Sequence, residues 1–234
     1  MTRSILTNSV ADCLCFGLSA PLLAAEPPVS ARAALPSTGP APASANNDKK
    51  LRAAAEPFEK LTETSFEATL PAIDQTIGEA ETAAQDVRVL LPTDAAIHLD
   101  AQIAAVKSAR QRQDRAGLAL SSIEMYRILV SAVADNAKVP TEVSLLDYAG
   151  FRYGADLKAN PVRWVDMAEA VSFARDNWAK LSPRTKSFQG ASGFEKAIAD
   201  MDKAAAQRDV ALATLSAKAE LDLVDQLETF FSAH

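Results

Sequence analysis

The chain has 234 residues, 48% of them apolar and only 6% aromatic, with 30 acidic against 24 basic side chains and a net charge of −6. That length can bury a sizeable core in one or two domains. A net negative charge argues against a general nucleic-acid binder, which sets a cationic face against phosphate. Abundant Ala with few Gly and aromatics argues against sandwiches and barrels and for helices.

At the N-terminus, Arg3 precedes an apolar stretch from Val10 to Ala25 that ends in small residues, the layout of a secretory signal. Residues 1–25 are therefore expected to be a signal peptide, cut near Ala25 or near Ala31, where Val29 and Ser30 supply small side chains. Asp12 interrupts the stretch, and a membrane span needs about 20 continuous apolar residues. Cys13 and Cys15, the two cysteines of the sequence, both fall inside this segment. A processed chain would be cysteine-free and would lack disulfides, thiolate catalysis and Cys-bound metals. The expected location is periplasmic or secreted, with no transmembrane helix in the mature chain. Residues 26–48 hold Pro27, Pro28, Pro36, Pro40 and Pro42 among Ala, Ser and Thr, and read as a disordered linker.

From Lys49 onward the apolar residues recur at three and four, which predicts helices. Helix A is expected over 49–91, helix B over 94–136, helix C over 141–181 with a break at 160–161, and helix D over 194–231. Near-equal lengths and short links point to an elongated antiparallel, up-down-up-down four-helix bundle roughly 60 Å long. Pro71, Gly117 and Asn160-Pro161 sit inside these rods and predict kinks near their middles. Two stacked shorter bundles are the alternative arrangement.

Catalytic signatures are missing. The chain holds two histidines, His98 and His234, and no Glu-x-x-His, Cys-x-x-Cys-His, Gly-rich phosphate loop or Gly-x-Ser-x-Gly pattern. A non-enzymatic module follows, with no cofactor required. Aromatics instead gather in one stretch around Tyr148, Phe151, Tyr153, Trp164, Phe173 and Trp178. Antiparallel rods would bring the start of C level with the start of A, the end of B and the end of D. The candidate ligand-binding residues at that layer are Tyr126, Tyr148, Phe151, Arg152 and Tyr153, suited to a small ligand. Glu63, Glu124, Asp222 and Asp225 form a second set that could hold a divalent cation through oxygen ligands. Asp222 is expected at the core edge, paired with Arg152 or a tyrosine.

Lys107, Arg110, Arg112 and Arg115 fall on different helix faces and read as a solvated surface. The stripe Glu56, Glu59, Glu63 and Glu67 reads the same way, although its spacing aligns the carboxylates. The leading expectation is an exported binding or interaction module whose partner is a small ligand or an envelope protein. A metal- or haem-linked bundle and a structural envelope component are the alternatives.

Overall fold

The computed structural model of the chain describes residues 42–134 and 138–233. The expected signal peptide with Cys13 and Cys15, most of the linker, and His234 lie outside the described residues. Every regular element among the described residues is a helix, which bears out the all-α class.

The four expected rods are in fact four hairpins. The helices are α1 (Pro42–Thr64), α2 (Leu70–Val87), α3 (Thr93–Gln111), α4 (Arg115–Ser131), α5 (Thr141–Leu157), α6 (Trp164–Leu181), α7 (Ala191–Gln207) and α8 (Val210–Ala233). Rod A is α1 packed on α2, rod B is α3 on α4, rod C is α5 on α6, and rod D is α7 on α8. Helix α1 also begins at Pro42, inside the segment expected to be linker.

The physical reason lies at the breaks. Pro71 opens a helix rather than kinking one: it sits in the first turn of α2, where its missing N–H costs nothing, behind the Thr69 cap, whose hydroxyl accepts from the Ala72 amide at 3.4 Å. Gly117 lies in the first turn of α4, and its amide donates to the Asp114 carboxylate at 2.8 Å. Asn160-Pro161 falls between α5 and α6. The fourth break, at Arg208-Asp209, carries no Pro or Gly at all.

The second and fourth breaks share one device. Gln113 and Arg208 adopt left-handed backbone, φ 57° and 55°. The next amide then reaches back five residues, Asp114 to the Ala109 carbonyl at 2.9 Å and Asp209 to the Ala204 carbonyl at 3.0 Å. Each Asp side chain at once caps the following helix, Asp209 by accepting from the Leu212 amide at 3.0 Å. One aspartate thus ends one helix and starts the next.

Folding each rod in half splits the apolar interior in two. One core draws on α1–α4, from Leu51 to Val133, and takes in Tyr148; the other draws on α5–α8, from Val143 to Phe231. Helix α4 packs on α5 and joins the halves. The hairpin tips gather at one end. Arg115 donates to the Ser65 and Ala68 carbonyls at 2.6 and 2.8 Å. Lys158 lies over the Phe66 ring at 4.8 Å. Helices α1 and α8 flank α5 along a groove that starts at this end.

Candidate functional site

The groove between α1 and α8, floored by α5, contains two adjoining cavities. Nearer the hairpin tips, Thr62, Phe66, Phe151, Ala217 and Leu221 line a space of about 490 Å³. Its walls are hydrocarbon and glycine, with Glu63, Lys158, Lys218 and Asp222 at the edges. Gly154 contributes an open stretch of wall, since a Cβ there would meet nothing within 4 Å.

One turn further along the same helices, a smaller cavity of about 230 Å³ is acidic. Glu56, Glu59, Asp147, Asp225 and Glu228 surround it, against the single guanidinium of Arg52. Arg52 donates to the Val139 carbonyl at 3.0 Å and to the hydroxyl of Ser144, another wall residue, at 3.4 Å, and makes no ion pair among the described residues. Burial, reinforced by Glu63, Glu228, Glu56 and Asp225, pushes the Glu59 carboxyl up to about 7. Asp147, 8% exposed, is pushed well above the usual carboxylate range by burial and then by Glu59 and Glu228, with a hydrogen bond from Tyr126 opposing the rise. Burial raises Glu228 too, helped by Asp225 and opposed by Arg52. Burial likewise lifts the Tyr126 hydroxyl well above its usual value.

Beside the apolar cavity, Glu220 reaches from α8 to the surface of α5. It is fully buried, and neither carboxyl oxygen has a hydrogen-bond partner. Its Oε2 ends against Gly150: a Cβ at that position would lie 2.1 Å away, and 2.7 Å from Leu221 Cδ2. Burial pushes the Glu220 carboxyl well above its ordinary value, with Asp147 adding to the rise. Burial favours the protonated form of a carboxyl placed this way, because an isolated buried charge costs several kcal/mol.

The sequence-predicted residues divide among three places. Phe151 lines the apolar cavity and Tyr126 the acidic one. Tyr148 and Arg152 turn to the opposite side of α5. There the Tyr148 hydroxyl donates to Glu124 and accepts from Arg152 Nη1 at 2.9 Å, while the ring meets Phe173 edge-on at 5.2 Å. Arg152 also reaches Glu169 at 3.3 Å and the buried Asp156 at 3.9 Å. Asp156 is pushed up to about 6 by burial, opposed first by Arg163. Tyr153 belongs to the second core, its hydroxyl donating to the Met201 carbonyl at 3.0 Å.

The four carboxylates of the metal set do not meet. Glu124 sits in the Tyr148–Arg152 network, Glu63 and Asp222 edge the apolar cavity, and Asp225 lines the acidic one. Among the described residues no group of three His, Cys, Asp or Glu side chains is placed to hold a metal ion. Asp222 is exposed and pairs with Lys218 at 2.7 Å, so the carboxylate inside the α8 core is Glu220 instead. The break at 208–209 explains this. It resets the helical phase, so Ala213, Ala217, Glu220, Val224 and Leu227 face inward while Leu215 is 69% exposed. The basic residues of α3 and its exit each find a separate partner, such as Arg110 with Asp74 at 2.7 Å and Lys107 with Glu81 at 2.7 Å.

Comparison with known proteins returns no matching family model, no matching curated protein and no matching solved structure. The site is therefore read from its own chemistry. Sequence reasoning passed over Asp147, Glu228, Glu220 and Arg52, and placed Glu59 on a solvated face. One readable signal was Asp147 itself, a lone acid in the run Val143-Ser144-Leu145-Leu146-Asp147-Tyr148, where burial of a carboxyl is forced by its neighbours.

Proposed function

We propose that the protein is an exported helical binding module that works without catalysis and holds a small ligand in the groove between α1, α5 and α8. The observation carrying this reading is the apolar cavity of about 490 Å³ at the hairpin-tip end of the groove. Its size falls in the range of small-molecule sites, and its apolar walls with few polar groups at the rim match their usual make-up. Export rests on the sequence alone: a basic start, the apolar stretch to Ala25 and small residues at the cut. No helix among the described residues is long and apolar enough to cross a membrane. The reading without catalysis rests on the catalytic motifs missing from the sequence.

Nile red, an uncharged apolar fluorophore, tests the groove with the full-length chain. Wild-type protein should bind it and enhance its emission. Gly154→Phe projects a ring into the open wall and should weaken binding at least tenfold, with the thermal unfolding midpoint held or raised. Equal binding by wild type and variant would remove the groove from consideration.

A further inference from the structure

The two halves of the chain follow one plan, and that plan singles out Glu220. Residues 95 apart take the same place in α3 and α4 as in α7 and α8. The left-handed residues Gln113 and Arg208 correspond, as do the capping aspartates Asp114 and Asp209. So do the buried pairs Val106 and Met201, Ala109 and Ala204, Leu118 and Ala213, and Leu129 and Val224. The ion pair of Lys107 with Glu81 returns as Asp202 with Arg175, its signs exchanged. At Met125 the correspondence breaks, because its counterpart is Glu220. Both side chains are buried, Met125 in an apolar core and Glu220 with neither carboxyl oxygen hydrogen-bonded. The first half fills this slot with hydrocarbon, so packing does not call for a carboxyl in the second.

Glu220 lies where it can neither be hydrated nor withdraw. Its Oε2 ends on Gly150, which leaves no room for even a Cβ on α5, and Leu221 closes the same face. Helices α5 and α7 pack on α8. Among the described residues, Asp147 on α5 is the charged group that bears on the Glu220 carboxyl, and α7 brings none. Beside it on α8, Lys218 and Asp222 are exposed and paired with each other, while Glu63 and Lys158 stand at the exposed rim of the groove. Such a carboxyl loses its proton only when water reaches it, and water reaches it only when α8 moves off α5. We propose that neutral Glu220 is a latch holding α8 against α5, and that its ionisation is coupled to α8 moving away and opening the groove. Ala217 and Leu221, on either side of Glu220, line the apolar cavity together with Gly150, so the open latch removes a wall of the ligand site. This regulation rests on the groove being the binding site, whereas the latch itself does not. Opening frees the Glu220 carboxyl to release one proton, so rising pH favours the open state about tenfold per pH unit above the ordinary carboxylate range, until the buried carboxyl itself titrates.

Amide hydrogen exchange in the full-length chain, corrected for intrinsic rates, reads this opening at Leu221, because a helix freed of its partners frays. The opening constant in wild-type protein should rise with pH more steeply than in Glu220→Gln, by about one power of ten per pH unit. Glu220→Met, which installs the residue used by the first half, is a second variant without the titrating group and should match Glu220→Gln. Equal pH dependence in wild type and both variants would overturn the latch. Exchange at Leu129 in α4 rising in step with that at Leu221 would also overturn it, since the opening would then be global unfolding. Nile red should slow the wild-type exchange at Leu221. Nile red that binds without slowing it would overturn the coupling of latch to groove, and Nile red that fails to bind would place the failure in the groove reading instead.

Discussion

The acidic and apolar compartments are walled by the same stripes of the same helices, yet one is lined mainly by carboxyls and the other mainly by hydrocarbon. On α5 the stripe runs Ser144, Asp147, Gly150 or Phe151, and Gly154; on α1 it runs Glu56, Glu59, Thr62 or Glu63, and Phe66. Each step is three or four residues, one helical turn. The backbone therefore offers one continuous groove, and side-chain identity turn by turn divides it. Behind the wall of the apolar compartment, Glu220 packs against Gly150 at a crossing of α8 and α5. The division is local, and it can be moved by single substitutions.

The largest expected effect is at that crossing. Gly150→Ala would put a Cβ within 2.1 Å of Glu220 Oε2 and 2.7 Å of Leu221 Cδ2, and the buried Glu220 has no free space to withdraw into. A loss of about 2–3 kcal/mol is expected in chemical denaturation, the usual cost of overpacking a core; an unchanged unfolding midpoint would mean that α5 and α8 do not approach this closely. Next comes the carboxyl itself. Glu220→Met keeps the length and removes two unpartnered oxygens, so stability at neutral pH should rise by about 1–3 kcal/mol. A loss of stability would reveal a partner for Glu220 and join the compartments differently. The smallest effect belongs to Gly154, four residues from Gly150 on the same helix but facing open space. Gly154→Ala should stabilise by about 0.5–1 kcal/mol through helix propensity and lost unfolded-state freedom. Opposite signs at two glycines one turn apart would establish which part of the groove is packed and which is open.

How much of this could be read beforehand follows from the kind of signal each feature leaves. The all-α class, the turn regions near Pro71, Gly117 and Asn160-Pro161, and the links at Pro92 and Val139-Pro140 were legible, because propensity, periodicity and proline are local. The choice between kink and hairpin was not. A proline in the first turn of a helix and a proline in its interior differ only in where the preceding helix stops, and tertiary packing decides that. The break at Arg208-Asp209 left one faint mark, an aspartate able to cap, already present at Gln113-Asp114 in the second rod. The break shifts the apolar phase between α7 and α8, so that Leu215 lies outside and Glu220 inside. Of the candidate site, Phe151 and Tyr126 reach the groove, while Tyr148, Arg152 and Tyr153 serve packing between helices. Aromatic density marked α5 as a central helix without telling which of its faces meets the groove.

The most direct measurement is the titration of the Glu59 carboxyl by carbon-detected NMR. In the free protein Glu59 should titrate near 7, above its ordinary 4.5, because burial and its carboxylate neighbours favour the protonated form. The folded state then binds more protons than the unfolded state across that interval. The contribution of Glu59 to stability is therefore fully present below about 4.5 and lost as the pH rises through about 7. A value near 4.5 would contradict a groove in which Glu59 is buried among other carboxylates.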